Sequence, residues 1–288
     1  MLTETGFAMA IAPLFLSLLN SQLADQSSYL FLINWFVHIG VPSAVMSEFV
    51  YTYPCLFPGT LLKRYKRFLA DIKLDTGEEI TAHCANPGKM LGLSAPGSRV
   101  MVSLSTNIKR KLPYSLELVA AEENPTTWVG VNTSLPNQVI KLALAARLFP
   151  GLGAYETIKP EVVYGRDRKS RVDFFLTGTE GTTPIYLEVK NVTWAQGEKA
   201  LFPDAITTRG HKHLLELVDV METHSARAVA LFFISRGDCE VFGPGDTADP
   251  LYGKLLREAV AKGLEILPCR FELSPAGVRF LGLAEVAF

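Results

Sequence analysis

The feature that most narrows the fold is a change of period near residue 132. Between about Leu56 and Gly130, short runs of strand-forming residues alternate with turn formers. The runs are Leu61–Leu74, Glu78–His83, Arg99–Ser105, Tyr114–Ala120 and Thr127–Val131. They are broken at Asp75-Thr76-Gly77, Asn86-Pro87-Gly88, Ala95-Pro96-Gly97 and Glu123-Asn124-Pro125. Five short strands in so little chain suit a small closed barrel. The OB-fold is the first candidate and an SH3-like barrel the alternative.

Downstream the helical and strand periods take turns. Ser134 stands where it can cap a helix with Pro136 in its first turn and Val139, Ile140, Leu142, Ala143, Leu144 and Leu148 at apolar positions. Strands are expected at about Ile158–Tyr164, Arg171–Thr177 and Ile185–Val192, followed by a helix over roughly Thr208–Glu222. Ala228–Ile234 reads as a strand buried on both faces, and Leu251–Lys262 as a helix ended by Gly263, with Leu264–Leu273 extended beyond it. The expected fold class is therefore α+β, or mixed: an OB-like β-barrel domain over 56–130, then an α/β domain over 131–288 with a mixed sheet flanked by helices.

Residues 1–55 are an atypical apolar extension. No Lys or Arg precedes Lys63, although the chain carries 28 of them. The apolar stretches Gly6–Leu19 and Tyr29–Val41 are short for a membrane span, and Glu4 stands where a leader peptide would be basic. Three readings compete: a leader, an extra element packed on the core, and a start assigned too early, with Met46 as the first residue. The last is favoured, and no membrane partner is expected. The four cysteines are scattered without a Cys-x-x-Cys pair, so reduced thiols and a cytoplasmic location are expected rather than a disulfide scaffold or structural zinc. With 48% hydrophobic and 20% charged residues the chain is not disordered, and a net charge of −1 excludes a histone-like protein.

The chemistry concentrates in one hairpin. If the strands Arg171–Thr177 and Ile185–Val192 pair symmetrically about the loop 178–183, Asp173 lies opposite Glu188, with Cβ atoms about 4.5–5.5 Å apart. Lys190, two residues on, shares that face, while Val172, Phe174, Leu187 and Val189 point to the core. Two carboxylates so close are unfavourable unless a cation sits between them. Mg²⁺ or Mn²⁺ held by Asp173 and Glu188 meets that need, with Glu161 either a third carboxylate or an ordinary solvent-facing residue. Lys190 would stabilise developing negative charge or orient the attacking water. These are parts for metal-assisted phosphodiester hydrolysis. The plainer alternative is a surface ion pair between Asp173 and Lys190, with Glu188 solvated.

Three basic clusters suggest a phosphate-binding surface on a near-neutral chain: Lys63, Arg64, Lys66 and Arg67 around Tyr65; Lys109, Arg110 and Lys111; and Arg166, Arg168, Lys169 and Arg171. Interleaved basic and aromatic residues on a barrel strand suit backbone tracking with base stacking. A solvated edge protected by lysine is the competing account of any one cluster. His211 and His213, two apart on a helical pattern, are expected on different faces, with poor metal geometry, capping or contacting phosphate.

Six segments, LLKRYKRFLADI (61–72), HCANPGKM (83–90), VNTSLPN (131–137), SRVDFFL (170–176), YLEVKNVTW (186–194) and LFPDAITTRGHKHLLEL (201–217), resemble the sugar fermentation stimulation protein (SfsA) family in order and spacing. The resemblance covers about Leu56 to Phe288. It implies an N-terminal OB-like domain, a C-terminal domain of the PD-(D/E)xK nuclease type and sequence-nonspecific DNA binding. It also implies a link to the regulation of sugar (maltose) metabolism. Asp173, Glu188 and Lys190 match the nuclease signature, with Val172 in place of its Pro. Pro203-Asp204 follows E-x-K instead of preceding it and is not the motif. The resulting expectation is a DNA-binding protein with metal-dependent endonuclease chemistry, with a homodimer as one option for its assembly. A non-catalytic DNA-binding regulator using the nuclease fold as a platform and an RNA-acting protein stand as alternatives.

Overall fold

A computed structural model describes residues 49–165 and 170–288. The readings made for residues 1–45 fall outside them. Residues 49–288 form one compact unit.

Strand β1 (Tyr51–Thr52) precedes β2 (Leu56–Tyr65), β3 (Leu69–Leu74), β4 (Glu79–His83), β5 (Arg99–Leu104) and β6 (Tyr114–Ala120). The last five run β4-β3-β2-β5-β6, and a parallel β4–β6 bridge at His83 and Ser115 closes them into a barrel. Closure removes the free edges that five short strands would otherwise expose. Leu61, Ile72, Val100, Val102, Leu116 and Val119 fill the interior. Val100 and Val102 alternate as a strand requires, whereas Leu116 and Val119, three apart, both face inward across a register shift opposite Met101 and Val102. The first expected strand, Leu61–Leu74, is in fact two. Lys66 and Arg67 turn the chain with φ of 48° and 63°, a left-handed conformation that neither residue type signals.

Strand β7 (Trp128–Gly130) leads to α1 (Leu135–Ala145), β8 (Thr157–Tyr164), β9 (Ser170–Thr177), β10 (Ile185–Val192), β11 (Trp194–Gln196), β12 (Lys199–Phe202) and α2 (Thr208–His224). β13 (Arg227–Ile234), β14 (Val241–Pro244), α3 (Pro250–Ala261), β15 (Glu265–Leu273), β16 (Gly277–Leu283) and β17 (Glu285–Val286) complete the chain. The principal sheet of this half is mixed: β13 is parallel to both β10 and β15, whereas β9 is antiparallel to β10 and β8 to β9. β1 adds to its edge through β16. A smaller sheet, β11-β12-β14-β17, was not foreseen.

β13 shows why the sheet is covered on both faces. Val229, Leu231 and Phe233 pack with Leu135, Val139, Ile140 and Leu144 of α1. Ala228, Ala230, Phe232 and Ile234 pack with Leu214 and Leu217 of α2 and Tyr252 and Leu256 of α3. Each large side chain so buried stabilises the fold by about 1.5–3 kcal/mol. Ser134 occupies the position before α1 but does not cap it; its hydroxyl donates to Asn132 Oδ1 (2.7 Å). Thr207, by contrast, caps α2 by accepting from the Gly210 N–H (3.1 Å).

Candidate functional site

The β9–β10 pairing is Leu176 with Ile185, Phe175 with Tyr186 and Phe174 with Leu187. This is the register expected from the loop, and its next pair would be Asp173 with Glu188. There the backbone ladder gives way, and the Asp173 carboxylate takes its place. Oδ2 accepts from the Val189 N–H (2.7 Å) and Oδ1 from Asn137 Nδ2 of α1 (2.8 Å). The strand also rotates at this point: Val172 packs on the α2–α3 side, whereas Phe174 packs on the α1 side. Val172 therefore does not share the core face of Phe174, Leu187 and Val189. On the neighbouring β8, Glu161 has φ of 55°, between Pro160 and Val162, which pair with Phe174 and Val172. A non-glycine residue in that region stores backbone strain, here beside Asp173.

Glu188 is 3% exposed. Its Oε1 accepts from Lys190 Nζ (2.7 Å), the partner expected from strand alternation, and also contacts His213 Nδ1. Its Oε2 is buried with no hydrogen-bond partner among the described residues. The alternative of a solvated Glu188 beside an Asp173–Lys190 pair is thus not what forms. Burial, and then the charge of Glu188, push the Asp173 carboxyl up to about 6, against the Val189 N–H, Asn137 and Lys190. Burial also acts upward on Glu188, but Lys190 and His213 outweigh it and hold Glu188 below the usual carboxylate range. Two neighbouring carboxyls driven apart in this way are a pattern shared with acid–base and metal sites. The Tyr164 hydroxyl, buried without a partner, is raised by burial and then by Glu188, Glu216 and Asp173, so it stays a neutral phenol.

Asn137, His213 and Arg209 belong to this centre and were not singled out for it in the sequence. His213 neither caps α2 nor faces solvent. It is 4% exposed, and its Nε2 accepts from Arg209 Nε (3.2 Å). His211 turns the other way, onto Asp249, which also caps α3 through the Tyr252 N–H. Glu161 is exposed, and no group of three or more His, Cys, Asp or Glu residues is arranged to hold a metal ion among the described residues.

The barrel carries the basic residues at one end. Tyr65 pairs with Leu69, Leu69 with His83 and His83 with Ser115, whose hydroxyl accepts from Arg110 (3.1 Å). That chain of pairings brings the Lys63–Arg67 hairpin and the Lys109–Lys111 loop together. Lys63, Lys66, Arg67, Lys109 and Lys111 are exposed there, and Arg171 is exposed on β9. Arg166, Arg168 and Lys169 lie outside the described residues. Lys63 stands over the Tyr65 ring (5.7 Å) beside a cleft lined by Leu62, Asp71, Ile80 and Thr81. Arg64 differs from its neighbours. Its guanidinium donates to the carbonyls of Arg67, Asn86 and Gly88 at 2.8–3.0 Å, anchoring the loop whose Met90 N–H reaches Asp204 Oδ2 (3.0 Å).

Residues 62–131 match the model of the SfsA N-terminal OB domain, and residues 134–277 that of the sugar fermentation stimulation protein RE domain. The chain belongs to the sugar fermentation stimulation protein family. A relative from Trichormus variabilis, named a sugar fermentation stimulation protein homolog, is 62% identical over 241 residues, covering 84% of this chain and 99% of the relative. Another of the same name, from Trichodesmium erythraeum, is 63% identical over 238 residues, covering 83% of this chain and 94% of the relative. Among solved structures, that of Pyrococcus furiosus SfsA in complex with Ca²⁺ matches with a TM-score of 0.74 at 25% identity, covering 83% of this chain and 99% of that one. The OB-like barrel expected from the turn spacing is thus the family's own N-terminal domain. No helix among the described residues is long and apolar enough to cross a membrane.

Proposed function

We propose that this family member binds the phosphate backbone of DNA through its barrel and hydrolyses phosphodiester bonds at the Asp173–Glu188–Lys190 centre, in a PD-(D/E)xK nuclease-like domain. The observation that carries the reading is the buried, unpartnered Oε2 of Glu188 beside an Asp173 carboxyl raised to about 6. Both are costs that a hard divalent cation removes, and such ions commonly take only one or two carboxylates together with substrate phosphate oxygens. Asp173 and Glu188 would hold Mg²⁺ or Mn²⁺, which would neutralise charge developing on the phosphoryl oxygens. The Ca²⁺ named with the Pyrococcus furiosus relative agrees with an oxygen-donor site. Lys190, anchored on Glu188, presents its remaining N–H donors to a phosphoryl oxygen or the attacking water. Asn137 and the Val189 N–H keep Asp173 oriented.

A second reading, a non-catalytic DNA-binding regulator, draws on the lack of any group of three metal donors among the described residues. In both readings binding is electrostatic. Replacing Lys63, Lys66 or Arg67 by Ala should lower the slope of log affinity against log salt for duplex DNA by about 0.9 each. Arg64→Ala should leave that slope unchanged and cost about 1–3 kcal/mol of stability, because its Nη2 donates to carbonyls that would be left unpaired. Salt titrations of a labelled duplex, with equal-length RNA as competitor, measure both effects. Equal slopes for wild type and all three hairpin variants would remove the barrel from the interface, and RNA competing better than DNA would favour an RNA-acting protein.

A further inference from the structure

We infer that His213, held in a single tautomer by Arg209, is the positioning residue that aims the unpartnered Oε2 of Glu188; this rests on the reading of the centre as a cation site. Glu188 is reached from two directions. From its own strand comes Lys190, and from α2, which packs across the sheet face, comes His213. Both engage Oε1, so the carboxylate is pinned by one oxygen and the other is left without a partner. Lys190 alone would not fix the group, because an ammonium on four methylenes can follow the carboxylate as it turns. The imidazole is a planar ring on a packed helix, 4% exposed, and it cannot.

The hydrogen bonds also assign its proton. An arginine Nε–H can only donate, so His213 Nε2, 3.2 Å away, is the acceptor and carries no hydrogen. Nδ1 then bears the proton and donates it to Glu188 Oε1, an acceptor when ionised. The 3.2 Å approach of Lys190 Nζ to Nδ1 is that of two donors meeting at the same oxygen. Arg209 sits one turn before His213 on α2, with its side chain exposed at the surface, and so sets from outside which ring nitrogen faces the centre. Removing a residue hydrogen-bonded behind a metal ligand typically costs about 10–100-fold in metal affinity.

The test uses the full-length protein and two readouts. In metal-free protein, long-range ¹H–¹⁵N correlation of the five histidines, with the His213 signal identified by its loss in His213→Asn, should show the Nδ1–H tautomer. Arg209→Ala should shift that signal toward the Nε2–H or averaged pattern. By calorimetry, His213→Ala should weaken Mn²⁺ binding about 10–100-fold. His213→Asn, whose amide N–H can occupy the Nδ1–H position, should restore most of it, and His213→Gln should not. A wild-type Nε2–H tautomer, or equal Mn²⁺ affinity in His213→Ala and wild type, would overturn the inference. Wild type that shows the Nδ1–H tautomer but binds no Mn²⁺ would instead sink the cation-site reading, and the positioning role with it.

Discussion

Asp173→Asn should make the metal-free protein more stable than wild type at neutral pH, while abolishing the stabilisation that Mn²⁺ gives and reducing cleavage roughly 10³-fold. The first effect follows from the carboxyl being raised from 3.8 to about 6, largely by burial and then by Glu188. A carboxyl raised on folding favours the folded state while it keeps its proton. That contribution is complete below about pH 4 and is lost as pH rises toward 6. Above that the charged group costs up to about 3 kcal/mol, at 1.36 kcal/mol per unit. Asn carries no charge at any pH, so the variant's advantage should be absent near pH 3.5, grow between about pH 4 and 6, and stay level above. Saturating Mn²⁺ closes most of that gap. At a hundred times its dissociation constant it should stabilise wild type by about 2.7 kcal/mol and the variant by far less. Chemical denaturation with and without Mn²⁺ at pH 4, 6 and 8 measures all of this. A variant that is less stable than wild type in the metal-free state at pH 8 would contradict the electrostatic account.

Arg236→Ala should be among the most damaging single changes in the chain. The residue is 1% exposed and follows β13. Its guanidinium grips Asp238 with two hydrogen bonds (2.7 and 2.8 Å), pairs with Glu123 beyond β6 (2.8 Å) and donates to the Thr193 carbonyl (3.3 Å). It thus ties the barrel to the principal sheet. Truncation strands the Asp238 carboxylate, a loss of about 3–5 kcal/mol and roughly 6–20 °C in Tm. Burial acts upward on Asp238, but the hydrogen bonds and charge of Arg236 lead the opposing contributions that hold it low. Its contribution is therefore present above the ordinary carboxylate range and lost as pH falls below that range, through the lowered value of the folded state, so the penalty of Arg236→Ala should shrink in acid. Adding Asp238→Leu to Arg236→Met should recover part of the loss. A loss below 1 kcal/mol in thermal unfolding of Arg236→Ala would show that the network contributes little.

Much of the α/β half was legible because its signals are periodic. The uninterrupted apolar run at Ala228–Ile234 is typical of a strand covered on both faces, and the hairpin loop predicted the register of the three β9–β10 pairs that form, up to Phe174 with Leu187. The barrel strands were legible from glycine and proline punctuation, except at Lys66 and Arg67. There the chain turns without any residue that favours positive φ. The short strands of the second sheet, three or four residues at β11, β12 and β14, are too brief to establish alternation.

Within the site, strand alternation was enough to bring Lys190 to Glu188, because both sit on one strand. Asn137 and His213 were invisible for the opposite reason. Each sits on a helix whose packing direction only the folded layers determine, and one polar residue on an amphipathic helix carries no sign of what it will meet. The rotation of β9 at Asp173 was hidden as well, since it pairs with a left-handed Glu161 that the sequence reads as an ordinary strand residue.

The most direct measurement is cleavage of labelled duplex, branched and single-stranded DNA in Mn²⁺ or Mg²⁺. Wild type, Asp173→Asn and Lys190→Ala would be purified identically, so that a contaminating nuclease cuts equally in all three. The account predicts cutting by wild type that needs the metal and is lost in both variants, with DNA affinity retained. Wild type that binds DNA without cutting any of the three, or variants that cut as fast as wild type, would contradict it.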